Sequence, residues 1–218
     1  MFIAHRGNDN HTYRENSEKA ILFSLQQPYL DGIECDLRLT KDKQIVLLHN
    51  MLIDFVSNGS GFVHNLTLKA LLSYTFEHHQ FQDKITVLSS LLSKIDSQKI
   101  LLLEIKEERI DVIDDWIEAF HSIISKYQNL TIYLCSFNYD LLCRLKKAYP
   151  QIFMGLIVGY TMNQNKDITP FEFVMYQYRN FRYTHKMSMI WTLNDKDRIR
   201  KYQKRVNYII TDKAYEFV

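Results

Sequence analysis

We predict an α/β fold, a (β/α)8 TIM barrel, from three features of this 218-residue sequence. Short apolar runs of strand length alternate with amphipathic helical patterns along the chain, as in proteins with a parallel sheet. Most of these runs are continuously apolar, which is typical of strands buried on both faces. The length fits a single barrel domain over residues 1–218, with a small insertion at roughly 50–99.

Nine apolar runs are predicted to be strands, one more than an eight-stranded barrel uses. The link between the second and third runs is too short for a crossover helix, so an irregular connection is expected there. The predicted strands are residues 2–5, 32–36, 45–49, 100–105, 131–135, 152–158, 172–176, 188–193 and 207–211.

Apolar residues between these runs recur at helical spacing, which predicts helices that cover the sheet. The first helix is expected to begin at Asn16 or Ser17, since either side chain can cap it, and to continue to about residue 27. Further helices are predicted around residues 88–95, 113–124, 141–145 and 195–205. Residues 50–99 carry only weak strand signals, and a small excursion from the barrel is expected there.

The composition argues against several classes of protein. Lys and Arg number 27 against 25 Asp and Glu, so the chain lacks the basic excess of a dedicated nucleic-acid binder. Three cysteines, an odd number without C-x-x-C spacing, favour reduced thiols and a cytoplasmic location. No window approaches the roughly 18 apolar residues of a membrane span, so stable membrane insertion is not expected.

Chemically capable side chains lie at the ends of four predicted strands. The carboxyl ends of barrel strands meet at one mouth, so we expect these side chains to converge. Taken singly, a strand-end acid is more often a solvated surface group, and a lone histidine is more often structural or exposed. The residues are His5, Arg6, Glu34, Asp36, His49, Glu104 and Lys106.

The residue types at this mouth predict phosphodiester hydrolysis. Three carboxylates so close together repel unless a cation lies between them, and oxygen ligands suit Mg²⁺ or Ca²⁺. Two histidines can serve as general acid and base near neutral pH, and Arg and Lys can hold a phosphate. A metal, an acid–base pair and cationic side chains together indicate a phosphodiester hydrolase.

Nine short motifs occur in order along the chain: HRG 5–7, ENS 15–17, ECD 34–36, TKDK 40–43, LLHN 47–50, LLLEIKE 101–107, CSFN 135–138, IWTLND 190–195 and IITD 209–212. This ordered set resembles the glycerophosphodiester phosphodiesterase family. The resemblance implies a barrel of the triose-isomerase type, one divalent cation (Mg²⁺ or Ca²⁺, with Mn²⁺ possible) and hydrolysis of glycerophosphodiesters to glycerol 3-phosphate and an alcohol. The expected partner is therefore a small-molecule substrate, and the oligomeric state is left open.

The resemblance also implies residue roles. They are an acid–base pair in His5 and His49, metal ligands in Glu34, Asp36 and Glu104, phosphate contacts in Arg6 and Lys106, and a glycerol pocket lined by Trp191 and Phe137. A core position stays an alternative for Trp191. Glu15 is left with two roles, bracing Arg6 or interacting with a helix dipole. Asp212, after the last strand, is interpreted as a structural turn residue.

Three positions depart from the family pattern: Asn50 replaces an Asp, Lys43 a turn Gly and Arg14 a Pro. None of them removes a proposed ligand, so they bear on substrate choice. Two alternatives stay open. One is a lysophospholipase D-type phosphodiesterase, with an apolar groove supplied by residues 171–183. The other is a catalytically inactive homologue that binds phosphate ligands.

Overall fold

The computed structural model describes residues 1–8 and 13–217. The strands in this part of the chain are β1 Phe2–Ala4, β2 Leu30–Leu39, β3 Ile45–Leu47, β4 Phe76–His78, β5 Phe81–Asp83, β6 Thr86–Val87, β7 Ile100–Ile105, β8 Ile132–Ser136, β9 Phe153–Val158, β10 Phe173–Gln177, β11 Met187–Trp191 and β12 Tyr208–Thr211. The α-helices are α1 Glu18–Leu25, α2 Leu68–Ser73, α3 Leu88–Leu92, α4 Ile113–Lys126, α5 Tyr139–Ala148 and α6 Lys196–Tyr202. Short 3₁₀ turns cover His5–Gly7, Val63–Asn65, Tyr178–Asn180 and Ala214–Phe217.

Eight parallel strands close into a barrel. Hydrogen-bonded neighbours follow the order β1, β12, β11, β10, β9, β8, β7 and β2, and β1 also pairs with β2. The β1–β12 pair brings the two ends of the chain together, since Ala4 lies opposite Thr211. This arrangement confirms the predicted (β/α)8 barrel.

Side chains that alternate along the strands fill two cores. The larger core lies between the strands and the surrounding helices, where Trp116 and Phe120 of α4 are buried. The smaller core fills the barrel interior and consists of Ile3, Ile100, Leu102, Cys135, Ile157, Phe173, Met175, Met189 and Ile210. Burial on both faces explains why the strand sequences are continuously apolar.

The predicted third barrel strand is wrong. Residues 45–47 form β3, which pairs antiparallel with the end of β2, so that Leu39 faces Ile45 and Leu37 faces Leu47. The link of five residues can only reverse the chain into a hairpin, which accounts for the ninth strand. Lys43 in this turn has a φ of 57°, the left-handed conformation that favours the Gly of the family pattern.

An excursion follows the hairpin and has a small core of its own, formed by Val46, Leu48, Ile53, Val63, Leu71, Phe76 and Ile85. Arg14 connects the barrel mouth to it, because the guanidinium donates to the Lys84 carbonyl at 3.1 Å and lies 5.7 Å from the Phe76 ring centre. Helix α3 packs against the main core instead of the excursion.

The longest α-helix in the described ranges is α4, with 14 residues. None of the helices in these ranges combines enough length with enough apolar character to cross a bilayer.

Candidate active site

Three buried carboxylates meet at the barrel mouth. Glu34 and Asp36 are two residues apart on β2 and share a face, and Asp36 is level with Glu104 on the neighbouring β7. Each offers an oxygen such that all three lie within 4.8 Å of one another. Their exposed fractions are only 2%, 1% and 6%. The fold therefore brings together the three acids proposed from the sequence.

Their electrostatics show an excess of buried negative charge. Burial, reinforced by the charge of Asp36, raises the pKa of Glu34 to about 8. Burial also raises the pKa of Glu104, against the opposing effect of Lys106. Burial alone would raise the pKa of Asp36 as well, but the charges of Lys106 and Arg6 outweigh it and lower that pKa.

The donor set fits a hard divalent cation. All three side chains offer carboxylate oxygens, which Mg²⁺ and Ca²⁺ prefer. Oε1 of Glu34 is buried and has no hydrogen-bond partner, an arrangement that is costly unless another group binds that oxygen. Glu34, Asp36 and Glu104 are thus the residues that can hold the ion.

We expect the metal-free protein to lose thermal stability as pH rises from about 4.5 to about 8. The folded state keeps a proton on Glu34 up to about pH 8, whereas an unfolded Glu loses it near 4.5, so the free energy of unfolding falls between these values. The raised pKa values of Glu104 and His5 act in the same direction, and the lowered pKa of His49 opposes them only below pH 6.5. Melting temperatures measured across this range, with Glu34→Gln as the flatter comparison, check the effect. An unchanged slope in Glu34→Gln would contradict it.

Asn16 fixes the position of Asp36. Its amide Nδ2 donates to Asp36 Oδ2 at 2.8 Å, and its Oδ1 accepts from the Asp36 backbone N–H at 2.9 Å. Asn16 has a φ of 55°, which an Asn tolerates better than most residues. The helix cap of α1 is Ser17 instead, whose Oγ accepts from the N–H of Ala20 at 3.1 Å.

His5 is held by the carboxylate of Asp212, which lies near the other end of the chain. Its Nδ1 lies 2.7 Å from Oδ1 of Asp212, and Asn194 Nδ2 donates to the other oxygen of Asp212 at 2.6 Å. Burial lowers the pKa of His5, but the bond to Asp212 and the charge of Glu34 outweigh it and raise the pKa. The interpretation of Asp212 as a turn residue missed this contact. The contact could have been predicted from the motifs HRG and IITD, because they lie at the ends of the first and last strands, which are neighbours in a closed barrel.

His49 reaches the mouth through the β2–β3 hairpin. The end of β2 pairs with β3, and β3 then runs back toward the level of Asp36, which places His49 beside the carboxyl ends of the barrel strands. Two guanidinium nitrogens of Arg38 donate to the His49 carbonyl, at 3.1 and 2.6 Å, and a third donates to the Lys106 carbonyl at 2.8 Å. Burial lowers the pKa of His49, as do Arg6 and Lys106, against the opposing charge of Asp36. Arg38 is a positioning residue that the sequence analysis did not single out.

Arg6 makes three contacts with acids. Its backbone N–H donates to Glu34 Oε2 at 2.9 Å, its NH1 donates to Glu15 Oε1 at 2.7 Å, and its Nε lies 3.4 Å from Asp36 Oδ2. Glu15 therefore braces Arg6. Gly7, with a φ of 64°, packs against α1, where a Cβ would lie 2.4 Å from a side-chain carbon of Ile21.

Lys106 joins the acids to an aromatic pair. Its Nζ lies 2.6 Å from Glu104 Oε1, 3.3 Å from Asp36 Oδ1 and 6.0 Å from the Phe137 ring centre. The Phe137 and Trp191 rings meet edge to face, with centres 5.8 Å apart. Trp191 is partly exposed, and its buried Nε1 has no hydrogen-bond partner. A hydroxyl-bearing group beside this pair would satisfy that donor.

A cleft of about 800 Å³ opens beside His49, Glu104 and Lys106. Asn50 also lines it. The segment 171–183 does not line this cleft, and most of its apolar side chains are buried, four of them on β10. Of the histidines without a motif, His79, His121 and His185 are exposed and His64 is partly exposed, whereas His11 lies outside the described residues.

Residues 5–215 match the sequence model of the glycerophosphoryl diester phosphodiesterase family. A Bacillus subtilis protein described as a putative glycerophosphodiester phosphodiesterase is 27% identical, over 96% of this chain and 93% of its own length. A glycerophosphodiester phosphodiesterase of Caldanaerobacter subterraneus is 30% identical, over 72% of this chain and 66% of its own length.

Solved structures share the fold. A phosphodiesterase of Oleispira antarctica, determined with the product sn-glycerol-3-phosphate, superposes with a TM-score of 0.85 at 19% identity, covering 99% of this chain and 94% of that one. A glycerophosphodiester phosphodiesterase of Thermotoga maritima superposes with a TM-score of 0.76 at 22% identity, covering 99% and 96%.

Proposed function

We propose how this chain, which belongs to the glycerophosphoryl diester phosphodiesterase family and is a phosphoric diester hydrolase, performs its reaction. It uses one divalent cation and two histidines to release glycerol 3-phosphate and an alcohol from glycerophosphodiesters. The observation that carries the proposal is the cluster of Glu34, Asp36 and Glu104 within 4.8 Å, at the mouth where His5 is held by Asp212. The Oleispira structure contains a small-molecule product, sn-glycerol-3-phosphate, which supports a small-molecule substrate for this chain.

Glu34, Asp36 and Glu104 are the proposed metal ligands. A divalent cation bound there supplies Lewis-acid stabilisation of the charge that develops on the phosphate oxygens. Arg6 and Lys106 place two further positive charges at the same mouth and contact the phosphate. Mg²⁺ and Ca²⁺ both suit an oxygen-only ligand set, and Mn²⁺ is a third candidate.

His5 acts as the general base. Its Nδ1 is hydrogen-bonded to Asp212, so Nδ1 carries a proton and Nε2 is the nitrogen that accepts one from the nucleophile. Asp212 stabilises the imidazolium that forms.

His49 acts as the general acid. It lines the large cleft, which gives the departing alcohol its exit, and a proton from His49 neutralises the alkoxide as the ester bond breaks. Trp191 and Phe137 form the glycerol pocket, where the unpaired Trp191 N–H can donate to a glycerol hydroxyl.

We further infer a single domain over residues 1–218 and a cytoplasmic location. One ten-stranded sheet includes both the barrel and the hairpin, which supports a single unit with the excursion as its insertion. The three cysteines are an odd number and lack the spacing of a disulfide framework, which supports a reducing compartment.

The function is tested with added cation by measuring glycerol 3-phosphate release from a panel of glycerophosphodiesters and release of the headgroup alcohol from lysophospholipids. We expect the diesters to be hydrolysed. Activity confined to lysophospholipids would favour the lysophospholipase D-type alternative, and binding without turnover would favour an inactive homologue.

Asp212→Asn is expected to lower kcat by up to roughly 10⁴-fold, the loss found when the Asp that orients a general-base His is replaced by Asn. Loss of the carboxylate also lowers the pKa of His5, so the acidic limb of the pH–rate profile moves to lower pH. Asp195→Asn is the matched control, because Asp195 caps α6 through an oxygen that Asn retains. An acidic limb that does not move in Asp212→Asn would contradict the assignment of His5 as base.

A further inference from the structure

The large cleft beside the acid–base site has a distinct chemical character. His49, Glu104 and Lys106 line its inner end, so it is continuous with the catalytic mouth. Beyond them its walls are mainly apolar. These walls come from the excursion, the end of β7 and the loops after β7, β8 and β9. Their apolar side chains are Met51, Leu52, Phe55, Ile105, Ile110, Phe137 and Met162.

Several of these side chains are unusually exposed. Phe55 is 85% exposed, Ile110 65%, Met162 52% and Met51 41%. Single exposed apolar residues are common, but four around one cleft form a patch of the kind that marks a ligand site. The volume of about 800 Å³, which includes the inner end beside His49, Glu104 and Lys106, lies within the range of sites that enclose drug-sized ligands.

The position of the cleft identifies which part of the substrate enters it. Of the two side chains assigned to the glycerol pocket, Phe137 also lines the cleft and Trp191 does not, so the pocket and the cleft adjoin at Phe137. His49, assigned to protonate the departing alcohol, lines the cleft. The acids at the cleft wall include Glu108 and Asp140, which disfavour an anionic group there. An uncharged apolar group on the leaving alcohol matches the apolar walls, and the two acids exclude an anionic one.

We propose that this cleft binds the hydrocarbon chain of the leaving alcohol, so that the preferred substrates are glycerophosphodiesters whose alcohol carries an uncharged alkyl or acyl chain. This inference rests on the proposed function. It differs from the lysophospholipid alternative, in which the chain is attached to the glycerol side of the phosphate.

The test compares the ethyl, butyl and octyl esters of glycerol 3-phosphate. A fully buried methylene contributes about fourfold to binding, so partial burial of six additional methylenes should raise kcat/KM for the octyl ester by at least about tenfold over the ethyl ester. The double variant Phe55→Ser, Ile110→Ser should lose most of this octyl-to-ethyl ratio. Leu72→Ser, which removes an exposed apolar side chain of α2 outside the cleft, should keep it.

Each outcome decides between the possibilities. Equal kcat/KM values for all three esters would overturn the chain-binding proposal and leave the proposed function standing. Absence of hydrolysis of every diester would instead overturn the proposed function. Glycerophosphocholine included as a cationic comparison gives a third outcome. If it is preferred over the octyl ester, Glu108 and Asp140 select a cation and the proposal is wrong. The wild-type series decides even where a variant is unstable.

Discussion

Removing the metal site should have the largest effect on this enzyme. Excess EDTA is expected to abolish turnover, with Mg²⁺, Ca²⁺ or Mn²⁺ restoring it. Glu34→Gln and Asp36→Asn should each lower kcat/KM by roughly 10³-fold, because several kcal/mol of charge stabilisation at the phosphate are lost. Titration calorimetry should show weaker metal binding in both variants.

Glu107→Gln provides the control for metal binding. Glu107 is also an acid beyond the end of β7, but its carboxylate pairs with Arg109 and accepts from the Trp116 N–H instead of facing the cluster. Its replacement should leave metal affinity unchanged. Full activity of the wild type in excess chelator would overturn the assignment of Glu34, Asp36 and Glu104 as ligands.

The second large effect concerns the two histidines. His5→Ala and His49→Ala should each lower kcat on natural diesters by roughly 10²–10⁴-fold, the usual contribution of acid–base assistance. A p-nitrophenyl ester separates them, because its leaving group needs no proton. His49→Ala should recover much of its rate on that ester, and His5→Ala should not.

His121→Ala, on the exposed side of α4, should behave like the wild type on both esters. Recovery by His5→Ala instead of His49→Ala would reverse the two roles. Near-wild-type rates in both active-site variants would return His5 and His49 to a structural role.

Much of the site was predictable because its signals are local. Glu34 and Asp36 share a face through the two-residue repeat of a strand, whatever fold surrounds them. The continuously apolar strands and the helices between them indicate a parallel barrel, and a barrel gathers the ends of its strands at one mouth. Order and spacing along the chain therefore suffice to propose the acids, the cations and the histidines.

Other features depend on contacts between distant parts of the chain. The same apolar pattern fits a barrel strand and a hairpin strand, so the antiparallel pairing of β3 was not evident. For the same reason the sequence did not show how His49 reaches the barrel mouth. Residues 171–183 look equally suited to a surface groove or a core, and only packing shows that most of their apolar side chains are buried. Conversely, Phe55 and Ile110 belong to no motif, yet they meet at one cleft.

The sequence by itself determined the barrel and the identity of the groups at its mouth, because strand periodicity and motif order are properties of short segments. Only the tertiary structure decided how those groups are held. Asp212 supports His5 across 207 positions because β12 closes the barrel against β1, and Arg38 joins His49 to the end of β7. Such contacts arise from the pairing of strands in the folded sheet. Strand pairing places residues side by side without leaving any pattern in the sequence between them.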